Sequence, residues 1–179
     1  MYCGNNKIAL ASQKQIMNAF LNLLEMQSFS NISISKICNE AGVSRQTFYK
    51  LYESKENVII DLLTYYRYMP EKTYESDNYS KGIASLYPQY AKYLVTNKKL
   101  IQMLVTNGII SFLYNSLYSS LIECSFFLKN ETDSEREYTA NFIAGAFTGI
   151  ANAYIKRGGV DDCDYLENEI SLLLQRIIS

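Results

Sequence analysis

Between Ser33 and Tyr52 the chain sets two runs of helical spacing, each about eight residues long, on either side of one glycine, Gly42. Helices that short are marginal in water by themselves, so a third element must hold them. Ser33 is placed to cap the first run, with Ile32 and Ile37 positioned as a hydrophobic staple and Ile34, Ile37, Cys38 and Ala41 on its buried face. Gly42 stands where a left-handed residue ends a helix without steric cost. Ser44 then caps a second run over residues 45–51, and Val43 with Phe48 repeats the staple.

Upstream, Ile16, Ala19, Phe20, Leu23 and Leu24 repeat at helical spacing, and Ser12 with Gln15 resembles a capping box. This predicts a first helix over residues 13–27 after a loose arm of residues 1–11. Ser54 caps a fourth helix that buries Val58, Ile59, Leu62 and Leu63 and reaches about residue 68, where Met69-Pro70 stops it. A polar connection follows, "EKTYESDNYSKG". Further helical stretches are expected over 81–95, 98–107, 109–128, 134–157 and 162–178. Strand alternation is absent, so the chain reads as all-α, about nine helices, with a three-helix head at 1–53 and a larger helical body at 54–179.

With 179 residues, 48% of them hydrophobic, the chain can bury a substantial core. It has no histidine, which removes the commonest acid-base and zinc-binding side chain. Cys3, Cys38, Cys124 and Cys163 are scattered, without metal-ligand spacing or an evident base partner, and read as free thiols of a cytoplasmic protein. The acidic pairs Asp161-Asp162 and Glu167-Glu169 fall near a helix start and on a polar face, where caps and solvent explain them. Catalysis is therefore not expected, nor a metal or cofactor. No apolar run is long enough to span a bilayer, and the first residues lack the apolar core of a signal peptide. The net charge is −1, yet residues 1–57 carry six Lys or Arg against four Asp or Glu, while the remainder carries eleven against fourteen. The field that a partner meets is local, and here the positive side lies at the head.

On the run 45–51, helical spacing turns Arg45, Gln46, Tyr49 and Lys50 outward and Phe48 inward. Arginine pairs with guanine O6 and N7, glutamine with adenine N6 and N7, and the major groove is the one wide enough for a helix. Ser33, Tyr49, Lys50 and Lys55, the last at the amino end of the fourth helix, are placed to anchor phosphates.

The block "ISISKICNEAGVSRQTFYKLYESKENVI" resembles the DNA-binding head of the TetR family of bacterial regulators, in its helix-turn-helix, its aromatics Phe48-Tyr49 and Tyr52, and its Ser54-Lys55-Glu56. Leu51 and Glu53 depart from frequent family residues. The resemblance implies base contacts from Arg45, Gln46 and Thr47, and phosphate contacts from Tyr49 and Lys55; Ser33, Ser44 and Lys50 stand beside them as further phosphate candidates. It also implies a homodimer on a near-palindromic double-stranded operator and a body that holds a small organic effector. The ending "FIAGAFTGIANAYIKRGG" is similar to that of family members from low-GC Gram-positive bacteria, a branch that includes an activator. Repression is the default expectation, with activation, or an interaction adaptor that has lost DNA binding, as alternatives.

Two apolar stripes suit the dimer contact: Phe142, Ala146, Gly149, Ile150 and Ala153 on the penultimate helix, and Leu166, Ile170, Leu173, Leu174 and Ile177 on the last. Burial within one chain is the other reading of the same periodicity. The effector pocket is expected among Tyr65, Tyr66, Tyr87, Tyr90 and Tyr93. Asn107, Phe112, Tyr114 and Tyr118 complete that set, with intrachain packing as the alternative for each.

Overall fold

The computed structural model describes residues 6–66 and 86–178, apart from the side chains of residues 177 and 178. Among them are nine α-helices and no strand: α1 (Lys7–Met26), α2 (Ile34–Ala41), α3 (Arg45–Leu51), α4 (Lys55–Tyr65), α5 (Tyr87–Thr96), α6 (Lys98–Thr106), α7 (Ser111–Glu123), α8 (Asp133–Lys156) and α9 (Cys163–Ile178). A 3-10 turn, Phe29–Asn31, links α1 to α2. Met69, Pro70 and the start of the stretch expected over 81–95 lie outside the described residues.

The short helices form as their caps dictate. Ser33 Oγ accepts the Lys36 N–H at 3.3 Å, Ser44 Oγ that of Thr47 at 3.0 Å, and Ser54 Oγ that of Asn57 at 3.3 Å. Gly42 is left-handed (φ 66°, ψ 30°), and the Val43 N–H reaches back to the Cys38 carbonyl at 3.0 Å. Ile32, Ile37, Phe48 and Tyr52 are all buried.

Two boundaries differ from expectation. The first helix begins at Lys7, capped by Asn6, whose side chain accepts the Ile8 N–H at 3.0 Å. Ser12 therefore lies inside α1, because Asn6 supplies the cap earlier in the chain. The stretch expected over 109–128 holds a helix only to Glu123. Beyond it, Arg136 donates to the carbonyls of Ile122 (3.2 Å), Cys124 (3.4 Å) and Phe127 (3.0 Å), and so ties down a non-helical segment that includes Leu128 at φ 46°.

α1 packs on α2, α3 and α4, α4 reaches α7, and α7 lies along α8, which also covers α6. α9 docks on α5. The buried side chains form one cluster running from Ile16 to Ile170, so the apolar interior continues from the head through α4 into the body. α4 therefore shares one packed interior with both head and body.

Candidate nucleic-acid interface

The outer face of α3 carries Arg45, Gln46, Tyr49 and Lys50, all exposed, while Phe48 and Leu51 face the core. Tyr49 is 58% exposed with its ring edge-on to Phe48 at 5.7 Å, which fixes its direction without burying its hydroxyl. The Arg45 guanidinium donates to Ser35 Oγ on α2 and lies across the turn, solvent-facing. Gln46 and Lys50 have no hydrogen-bond partner among the described residues. Thr47 differs: half-buried, it shares its hydroxyl with Ser44 Oγ at 2.9 Å, so both are engaged in capping α3. Ser33 and Ser44 are exposed at the starts of α2 and α3.

Lys55 is held inside the chain. Its Nζ donates to the carbonyls of Phe29 (2.7 Å) and Ile32 (2.9 Å) and sits 4.2 Å from the centre of the Phe29 ring. An ammonium has three donors, and two of them are committed to these carbonyls. The Phe29 ring also meets Phe20 and Phe112 edge-on, and its N–H donates to Asn107 Oδ1 at 2.7 Å. Asn107, expected in an effector pocket, instead ties α6 to the turn that precedes α2. Its periodic position resembles that of any half-buried polar residue, and nothing in the spacing signals a partner 78 residues away.

Behind α3 lies a second link that sequence reasoning missed. Tyr52, the C-cap residue of α3, donates its hydroxyl to Asp61 Oδ2, and Gln13 Nε2 donates to the same oxygen at 2.7 Å. All three residues are buried. Burial first, then the hydrogen bond to Asp61 and its charge, push the Tyr52 phenol well above its ordinary value, so it stays protonated and a donor. The available signal was an aspartate at a core-facing position, three residues after Val58 and one before Leu62.

Residues 16–62 match the family described as bacterial regulatory proteins, tetR family. The head is similar to a TetR-family helix-turn-helix. A 55-residue stretch is 34% identical to the HTH-type dhaKLM operon transcriptional activator DhaS of Lactococcus lactis, covering 31% of this chain and 29% of that protein's length. Across nearly the whole chain the fold is that of TetR-type proteins. Lin0861 of Listeria innocua superposes with a TM-score of 0.75 at 18% identity, over 99% of this chain and 96% of the other. A TetR transcriptional regulator of Streptococcus agalactiae superposes with a TM-score of 0.56 at 19% identity, over 92% and 93%. At those identities the likeness shows the fold alone.

Outside the TetR-type head, the two stripes expected at a dimer contact divide. On α8, Phe142 (53% exposed), Ala146, Gly149 and Ala153 face solvent along one side, with Ile150 half-buried beside them. No atom lies within 4 Å of where a Gly149 Cβ would stand, so nothing in this chain requires that glycine. On α9, Leu173 is exposed and Leu174 half-buried, but Leu166 and Ile170 are buried in the chain's own core. Those two seat α9 within the chain and are not free to meet a copy. Ile177 lies in α9, and its side chain is outside the described residues.

The residues expected around an effector do not all line one cleft among the described residues. Tyr90 is fully buried, stacked on Phe147 at 4.1 Å, with its hydroxyl donating to the Phe147 carbonyl at 2.7 Å; Tyr93 stacks beside it and is buried too. Both are core residues, because the polar end of Tyr90 finds its partner internally. Tyr114 donates to Asn141 Oδ1, and Tyr87 and Tyr118 are half-buried. Several clefts open among the described residues. One of 430 Å³ includes Tyr66, one of 380 Å³ Tyr65 and Tyr66, and one of 270 Å³ Phe112. No group of three or more Cys, Asp or Glu placed to hold a metal ion occurs among the described residues, and none of their helices is long and apolar enough to cross a membrane.

Proposed function

We propose that the protein is a dimeric, sequence-specific DNA-binding transcriptional regulator of the cytoplasm, a repressor released from its operator by a small molecule. The observation that carries the reading is the outward face of α3, where Arg45, Gln46, Tyr49 and Lys50 stand exposed on a helix anchored behind by Phe48 and Tyr52. Arg45 and Gln46 read base edges, with Thr47 completing the helix start; Tyr49, Lys50, Ser33, Ser44 and the remaining donor of Lys55 meet phosphates. Exposed Phe142, Ala146, Gly149 and Ala153 support pairing of two chains through α8, which sets two α3 helices against successive major grooves about 34 to 36 Å apart.

Release requires an effector that prefers an arrangement in which that spacing is wrong. The Asn107 and Asp61 links support such a coupling, since both join the head to elements that line clefts. Activation is the second reading, favoured by the 34% identity to an activator over 55 residues.

The test is binding of the full chain to duplex fragments from upstream of its own gene at several salt concentrations, followed by sequencing of bound genomic fragments. Specific binding with log affinity falling linearly in log salt supports the proposal. Absence of binding to any duplex at low salt would overturn it. A promoter reporter then separates repression from activation by the sign of its change.

A further inference from the structure

We infer that the cleft between α1 and α4 is a binding site for a small organic ammonium ion, with the Asp61 carboxylate as its counter-ion. Asp61 is 3% exposed, yet no lysine or arginine pairs with it among the described residues. Both of its hydrogen bonds, from Gln13 and from Tyr52, go to Oδ2, and Oδ1 accepts none. The two donors are neutral: they solvate one oxygen and leave the charge uncompensated. A buried carboxylate in that condition is costly, and a carboxylate has lone pairs for about four donors.

Asp61 also lines the 380 Å³ cleft, within the size range of small-molecule sites. Leu10, Met17, Leu21 and Leu62 supply apolar walls, and Tyr65 and Tyr66, with rings 5.0 Å apart, stand at the same cleft. An ammonium N–H directed at Oδ1, an apolar body along the leucines and a cation near the tyrosine rings would satisfy each feature at once. Lys14, the cation at this cleft, is exposed and makes no ion pair among the described residues.

The site has a direct route to the recognition helix. Tyr52 caps α3 and donates to Asp61, so a cation drawing on the same carboxylate alters the anchor of α3. This consequence rests on the reading of the protein as a DNA-binding regulator, whereas the binding itself does not.

The probe pair is 4-phenylbutylamine and its neutral counterpart 4-phenylbutanol, titrated calorimetrically into the full chain. The amine is expected to bind saturably and about tenfold tighter than the alcohol, the difference a charge-assisted bond provides. Asp61→Asn is expected to bring the amine down to the level of the alcohol. Leu21→Trp, which fills the cleft and leaves Asp61 in place, should abolish binding of both, and decides the matter if Asp61→Asn fails to fold. Equal affinity for amine and alcohol, no saturable binding of the amine, or unaltered amine binding in either folded variant would overturn the site. In a parallel arm, amine that binds the protein while no duplex is bound at low salt overturns the regulator reading and leaves the site standing. Amine that shifts operator affinity in the natural chain but not in Asp61→Asn supports both.

Discussion

Asn107, the C-cap residue of α6, accepts the backbone N–H of Phe29 at 2.7 Å and returns its amide to the carbonyls of Leu24 (3.4 Å) and Met103 (2.9 Å). One side chain thereby joins the end of α1, the turn before α2 and the body. Lys55 completes the joint from the other side by taking the Phe29 carbonyl.

Asn107→Leu keeps the volume and removes the acceptor, leaving a part-buried N–H unpaired. Urea denaturation should show a loss of about 1 to 3 kcal/mol. Asn107→Asp, which keeps the acceptor oxygen, should recover part of it. Equal losses in the two variants would mean that the bond to Phe29 contributes nothing.

Arg45→Ala and Gln46→Ala should each lose about 1 to 3 kcal/mol of discrimination against wrong bases, with little change in binding to unrelated duplex. Competition binding against single-base operator variants measures this. Uniform weakening on every sequence would place these side chains on phosphates.

Lys55→Met and Lys50→Ala separate structure from contact. Lys55 holds two carbonyls, so Lys55→Met should lower the melting temperature as well as DNA affinity. Lys50 is exposed and unpartnered, so its loss should weaken all sequences alike, shallow the salt dependence by about one unit of slope and leave the melting temperature unchanged. A Lys55→Met variant with the natural melting temperature would return Lys55 to a purely phosphate-facing role.

Tyr52 supplies a pH signature. Its phenol is raised above its ordinary value near 10, so the folded chain keeps a proton that the unfolded chain gives up. That contribution is fully present below about pH 10 and declines as pH rises further, by about 1.4 kcal/mol per pH unit for each proton retained. Tyr93, raised by burial, adds to the same limb. Tyr52→Phe should make the fall in urea midpoint between about pH 9 and pH 11 shallower. An unchanged slope would deny the buried bond to Asp61.

Phe142→Glu puts a carboxylate on the exposed stripe of α8 that Gly149 and Ala153 continue. Sedimentation should show the natural chain as a dimer and the variant at half its mass, with the helical signal retained. A natural chain that sediments as a monomer at micromolar concentration would remove α8 as the contact.

The amino-acid sequence alone determined what is local. Caps at Ser33, Ser44 and Ser54, the left-handed Gly42 and the inward position of Phe48 specify the short helices and the outward face of α3, because each depends on neighbours within about one helical turn. The tertiary structure alone decided which polar residues meet across the chain: Gln13 with Asp61, Asn107 with Phe29, Lys55 with two carbonyls, Tyr90 with Phe147. The same folding sent Leu166 and Ile170 into the core while leaving Phe142 outside. Helical periodicity marks which side of a helix is apolar. What covers that side is set by how distant segments pack, a property that no short window of residues contains.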